Sequence, residues 1–197
     1  MLYDCLNEEL AAIQKQSHRL CDDYNALGVD DDDKKQAILR ELFPCDDFGL
    51  FRAMNKPIFL DNMKEITIGK NFYSNIHFSF IGGCTVEIGD NVFVGPYCTL
   101  ATGIHSLIAE ERRLAVDENG KLHDFEYGKP IRIGNDVWIA SNVTICGGVA
   151  IGSGSVVGAG SVVTKDIPNG VLSAGNPCRV IRKITAQDCM YLKARKD

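Results

Sequence analysis

From Ile133 to Val163 every sixth position is a β-branched aliphatic: Ile133, Ile139, Ile145, Ile151, Val157 and Val163. A second series runs two residues ahead at the same spacing: Ile131, Val137, Val143, Val149, Ser155 and Ser161. Small residues follow the first series at Gly134, Ala140, Gly152 and Gly158. A strand alternates with period 2 and a helix repeats at ~3.6, so neither produces a period of six. A short strand plus a tight turn, repeated as one side of a coil, does. Stacked coils bring the aliphatic positions into columns, and the small residues let the backbone turn each corner. The pattern predicts a parallel β-helix of hexapeptide repeats.

A weaker copy comes earlier. Ile68-Gly69, Ile88-Gly89 and Val94-Gly95 carry the same signature. The step from Ile68 to Ile88 is not a multiple of six, so an irregularity in the register falls between them.

Three stretches lie outside the repeat. The first predicts a helical N-terminal segment over 1–56. "EELAAIQKQSHRLCDDYNAL" puts Leu10, Ile13, Leu20 and Leu27 on one face, and Gly28 is a natural stop. "DDDDKKQAILRELF" has acidic residues leading and Lys34, Lys35 and Arg40 following, which suits the helix dipole, and Pro44 ends it. The second is a polar loop over 103–129, far longer than a coil corner; loops of that length are usually functional or disordered. The third is a C-terminal tail over 185–197, with "TAQDCMYLKAR" of helical character. The β-helix itself then spans 57–184, and the fold class is mainly β.

Composition narrows the functions. The formal net charge of -5 argues against a nucleic-acid or acidic-membrane binder, which needs a basic footprint. No apolar run approaches the ~18 residues of a membrane span. Met1 to Leu10 carries Asp4, Glu8 and Glu9 and has no apolar signal core, so a cytoplasmic location is expected. The eight cysteines are irregularly spaced, without a C-x-x-C pair. They read as reduced, small and mostly buried residues.

Four histidines are candidates for chemistry. His18 falls on a charged helix and His123 in the polar loop, so both are expected to face solvent. His77 alternates with aromatics and reads as a packing residue. His105 differs: in "TLATGIHSL" it stands where a rung of the helix ends and the long loop departs, at the lip of a cleft.

The segments "NFYSNI", "IGDNVFVGP", "ATGIH", "EYGKPIRIGNDVWIAS", "VVTKDIP" and "GNPCRVIR", with an N-terminal "LYD", resemble the maltose/galactoside O-acetyltransferase family over nearly the whole chain. The resemblance implies a homotrimer of left-handed β-helices with active sites at subunit interfaces. It also implies transfer of an acetyl group from acetyl-CoA to a hydroxyl of a small, sugar-like acceptor, with no metal required. His105 matches the family's catalytic base. Asn75, Ser141, Ala159, Thr164, Lys165, Arg179 and Arg182 match its acetyl-CoA contacts. Asp4, Asp61 and Tyr73 match acceptor contacts. Many members carry an Asp where this chain has Gly82-Gly83, and Glu126 in the loop is the candidate substitute. Trp138 lines the channel or covers a rung.

Three competing readings are weaker. A β-helix carbonic anhydrase needs three His ligands on zinc, two of them in a short H-x-x-x-x-H segment, and His105 has no such neighbour. A serine acetyltransferase normally carries a larger helical domain and a further catalytic acid; acceptors such as chloramphenicol or a cell-wall sugar keep the donor and change the acceptor. A non-catalytic trimeric scaffold leaves His105 and the basic tail without a shared purpose.

Overall fold

The computed structural model describes residues 1–43 and 53–193; Pro44 and Cys45, named above, lie outside them. Among the described residues, the chain winds into a parallel β-solenoid with three faces. The first face stacks Ala53–Met54, Tyr73–Ser74, Phe93–Val94, Trp138–Ile139, Val156–Val157 and Val171–Ala174. The second stacks Ile58–Leu60, Phe78–Ile81, Thr99–Ala101, Thr144–Cys146 and Val162–Val163. The third stacks Ile66–Ile68, Val86–Ile88, Ile131–Ile133 and Ala150–Ile151, and Ile167 bridges to Ile151.

Both six-residue series point inward. Every member from Ile131 to Val163 is buried, because each short side contributes two inward residues flanking one outward residue. Burying one such aliphatic side chain is worth roughly 1.5–3 kcal/mol, and the columns repeat that gain coil after coil. The two serines in the second series serve the far end. Ser155 Oγ donates to Pro168 O at 2.7 Å and accepts from Val171 N. Ser161 Oγ donates to Gly158 O and accepts from Gly175 N at 3.1 Å. They tie down the tail as it closes the last coil, where buried backbone groups need partners.

The corners explain the small and amide residues. The corner after the third face places Asn71, Asn91 and Asp136 at positive φ, and the corner after the first places His77, Tyr97 and Asn142 there. Asn and Asp tolerate that conformation better than other side-chain-bearing residues. They also form a ladder: Asn71 Nδ2 donates to Asn91 Oδ1, and Asn91 Nδ2 to Asp136 Oδ1, both at 3.0 Å. His77 stacks on Tyr97 at 4.5 Å, so its ring is partnered, but at an exposed corner rather than in the core.

Helix α1 (Glu8–Ala26) closes the open first coil. Asn7 caps it by accepting from Glu9 N and Leu10 N. Its buried face is Ser17, Leu20, Cys21 and Tyr24. Asn25 pairs with both backbone groups of Ile58 at 2.9 Å, and so covers an edge strand that would otherwise invite another chain. Helix α2 (Asp32–Leu42) adds Leu39 and Leu42 to the core. At the other end Arg179–Lys183 runs antiparallel to Val171–Ala174, capping the solenoid. The tail then forms a 3-10 turn at Ala186–Asp188 and a short helix from Met190.

Candidate active site

The register irregularity marks the site. Coils in the repeat place six residues between equivalent inward positions, but the corner between the second and third faces is wide in the first two coils. It holds Asp61–Glu65 in one and Gly82–Thr85 in the next. In the third coil the same corner opens into the long excursion, which leaves after Thr99–Ala101 and returns at Ile131–Ile133. The excursion is ordered around a three-stranded antiparallel sheet. Phe125–Gly128 lies in the middle, the N-terminal strand Leu2–Asp4 on one side and Gly103–Ile104 on the other.

Tyr3 stands directly opposite Glu126, and His105 follows Ile104, which pairs with Tyr127. The three side chains meet. His105 Nε2 is 3.3 Å from Glu126 Oε1, and Tyr3 Oη donates to Glu126 Oε2 at 2.8 Å. The imidazole is 60% exposed and the carboxylate 19% exposed. Burial, and then the hydrogen bond to Glu126, push the Tyr3 phenol far above its ordinary value. Burial and then the charge of Glu126 push the Cys5 thiol up to about 12. Both groups therefore stay protonated. A carboxylate that holds one ring nitrogen leaves the other free to take a proton.

The remaining acceptor-side candidates are engaged by other partners, and Tyr73 lies away from the corner of His105. Asp61 Oδ2 accepts from Gly82 N at 2.9 Å, and Asp61 Oδ1 is 3.1 Å from His18 Nε2. Asp4 accepts from Leu6 N and Asp124 N and pairs with His123 Nδ1 at 2.8 Å. Tyr73 is on the outer side of the first face, where Asn55 Nδ2 donates to its hydroxyl and Phe93 lies 6.1 Å away.

Two histidines depart from the solvent-facing expectation. His18 is half-buried, pairs with Asp61 and packs its ring on Phe59 at 4.9 Å. His123 lies between Asp4 and Asp117 and stacks on Phe125. The hydrogen bond with Asp4 raises its pKa, and the backbone N–H of Asp124 first, then His123, lowers that of Asp4. Their charged-helix and polar-loop contexts hid these pairs, because both partners are distant in sequence.

Comparison with known proteins settles the family. The pattern described as "Maltose acetyltransferase hexapeptide capping motif" matches residues 1–45, and "Bacterial transferase hexapeptide (six repeats)" matches residues 130–165. Galactoside O-acetyltransferase of Escherichia coli is 38% identical over 96% of this chain and 88% of its own length. A solved structure of a galactoside acetyltransferase in complex with coenzyme A matches with a TM-score of 0.83, 37% identity, and coverage of 95% and 88% of the two chains. A maltose O-acetyltransferase from Clostridium difficile matches at 0.81, with 37% identity and coverage of 93% and 92%. The chain belongs to the maltose/galactoside O-acetyltransferase family. It is an acetyl-CoA-dependent acyltransferase.

The donor-side candidates of this acetyltransferase divide between two edges. Asn75, Ser141 and Ala159 occupy the corner between the first and second faces. Thr164 and Lys165 occupy the corner between the second and third, which is also the edge of His105, Glu126 and Asp61. A three-residue strand separates the two edges, roughly 10 Å. Arg179 pairs with Ala174, whose side chain abuts Gly158 beside Ala159. Its guanidinium is exposed. Ala159 and Gly160 are small and exposed, and Lys165 and Arg179 are exposed cations of the kind that pair with phosphates. Their chemistry is compatible with the phosphates and narrow arm of coenzyme A. Arg182, by contrast, is bound bidentately by Asp188 at 2.7 and 2.8 Å. Trp138 projects outward from the first face, 55% exposed, between Phe93 and Val156.

Proposed function

We propose that this enzyme acetylates a hydroxyl of a small, sugar-like acceptor, with His105 as the general base. The observation that carries this reading is the exposed imidazole of His105, with a largely buried carboxylate 3.3 Å from its Nε2, at the wide corner of the solenoid. The acceptor hydroxyl gives its proton to the free ring nitrogen as its oxygen attacks the thioester carbonyl. The C–S bond then breaks, and the imidazolium returns the proton to the departing thiolate. No covalent enzyme intermediate is needed when both substrates are held together. Asn75, Ser141, Ala159, Thr164, Lys165, Arg179 and Arg182 bind acetyl-CoA in this reading, while Asp61 and Tyr73 flank the acceptor. Asp4 acts on the acceptor side by holding the excursion to the N-terminal strand.

The functional unit is a homotrimer. The separation of the donor set over two edges supports this, because a neighbouring copy can bring its edge against the other and complete a site between subunits. The seven described cysteines are all free, which fits the reducing cytoplasm where we place the enzyme. No helix among the described residues is long and apolar enough to cross a membrane.

The test combines a variant and an acceptor panel. His105→Ala should lower kcat by about 10²–10⁴, the usual worth of a general base, and leave acetyl-CoA binding intact. Glucosides, galactosides, free sugars, serine and amphenicols, assayed by thiol release and mass spectrometry, identify the acceptor. A variant that keeps most of its rate overturns the assignment of His105, and acetylation confined to serine or amphenicols overturns the sugar-like acceptor.

A further inference from the structure

We propose that Tyr3 and Glu126 are positioning residues for this reaction: the N-terminal strand seats Tyr3 in a glycine-walled slot, Tyr3 fixes the Glu126 carboxylate, and Glu126 fixes the catalytic imidazole of His105. The proposal rests on the reading of His105 as the base.

The slot is visible in what it excludes. A Cβ added at Gly83 would lie 3.0 and 3.1 Å from the Tyr3 ring carbons Cε2 and Cζ. One at Gly128 would lie 3.2 Å from Tyr3 Cε1 and 2.6 Å from Cys84 Cβ. One at Gly103 would lie 3.2 Å from Glu126 Oε2 and 3.4 Å from Tyr3 Oη. Side chains at these positions would displace the ring or the carboxylate. The ring is seated by Gly83 N, which donates to Tyr3 Oη at 3.3 Å, while that same hydroxyl donates to Glu126. A side chain at 83 and the Tyr3 ring would compete for one space, and the carboxylate of the row comes from Glu126 on the strand opposite Tyr3.

The row has a simple origin in the sheet. Residues opposite one another in an antiparallel pair have Cβ atoms roughly 4.5–5.5 Å apart on one face. Tyr3 and Glu126 are such a pair, and the register of Gly103 with Gly128 and Ile104 with Tyr127 carries His105 towards Glu126 on its other side. The central carboxylate thus accepts a hydrogen bond from Tyr3 on one flank and lies 3.3 Å from His105 Nε2 on the other. The ionisable groups facing it are Tyr3 and Cys5 from the N-terminal strand and its end, and His105 from the departing strand. Asp4 and Asp124 act on Cys5 more weakly than Glu126 does. An imidazole that is mostly in solvent samples many orientations unless something holds it, and a misplaced base loses rate without losing substrate.

The experiment compares Tyr3→Phe, Gly83→Ala, Glu126→Gln and His105→Ala in the full-length enzyme, with assembly checked by light scattering. Tyr3→Phe removes one oxygen and keeps the ring in the slot. It should lower kcat about tenfold, the worth of one hydrogen bond to a charged group, with the acetyl-CoA KM unchanged. Without its Tyr3 donor the carboxylate attracts the imidazolium more strongly, so the acid limb of the kcat profile should move to higher pH. Glu126→Gln removes the charge, and the limb should move to lower pH. Gly83→Ala alters no member of the row, yet it should reproduce the Tyr3→Phe loss by pushing the ring aside. A merely structural Tyr3 would move neither the limb nor the split between kcat and KM. Wild-type kcat and pH profile in Tyr3→Phe overturn the role of Tyr3, whether or not Gly83→Ala folds. An unshifted limb in Glu126→Gln overturns the role of the carboxylate. A fully active His105→Ala overturns the base itself, which separates that failure from a failure of the relay.

Discussion

Arg179→Ala probes the donor side most directly. Arg179 follows the turn that caps the solenoid, and its guanidinium is exposed beside the Ala159 corner. Nη1 donates to Cys178 O at 2.7 Å. A guanidinium carries five N–H donors in a rigid fork, so most remain available to a phosphate. A hydrogen bond to a charged group is worth about 1.5–3 kcal/mol, which corresponds to about ten- to a hundredfold in affinity. The acetyl-CoA KM of Arg179→Ala should rise by that factor while kcat at saturation changes little. Arg182 offers a contrast, because both of its Nη atoms already bind Asp188. Its charge is matched before any donor arrives, so Arg182→Ala should raise KM less than Arg179→Ala does. Asp188→Asn releases that guanidinium and should lower KM. Thiol release measured against acetyl-CoA concentration supplies the constants. Coenzyme A lacking its 3′-phosphate shows whether that group is the partner, since the Arg179→Ala effect then shrinks. An unchanged KM in Arg179→Ala would refute the assignment of the basic tail. A larger loss for Arg182→Ala than for Arg179→Ala would refute the charge-matching argument.

Three further expectations concern stability and assembly. Ile139 is fully buried in the column between Val94 and Val157, so Ile139→Ala should destabilise the fold by about 2–5 kcal/mol in denaturant while the folded fraction keeps its specific activity. The Asp4–His123 pair should give stability a pH window. A raised imidazole contributes fully below its unfolded value, ~6.5, and loses that contribution as pH rises through its folded value. A lowered carboxylate contributes above its unfolded value, ~3.9, and loses it as pH falls through its folded value. The thermal midpoint difference between wild type and His123→Gln should therefore be largest near pH ~5–6 and shrink towards alkaline pH; a difference that is flat across that range rules the latch out. Light scattering should give three times the 21.6 kDa chain mass, and a monomer at micromolar concentration would contradict a site completed between subunits.

The sequence by itself determined the solenoid. A six-residue period of Ile and Val has one economical solution, since only a coil of short sides buries every sixth residue and the one two places before it. Local chemistry was sufficient there, because each coil packs on its immediate neighbours and the code repeats. The same periodicity flagged the irregular step between Ile68 and Ile88, and the position of His105 at the lip followed from where the repeat stops. What the tertiary structure decided is how that irregular corner is furnished. The excursion is not a bare loop but the middle of a small antiparallel sheet, and its Glu126 meets Tyr3 across 123 positions of sequence. His18 reaches Asp61 across 43 positions and His123 reaches Asp4 across 119, so a helix face and a polar loop gave no sign of either pair. Nothing periodic encodes such contacts. They depend on which chain end folds back onto which corner, and that is fixed by strand register and by glycines that leave room for one aromatic ring.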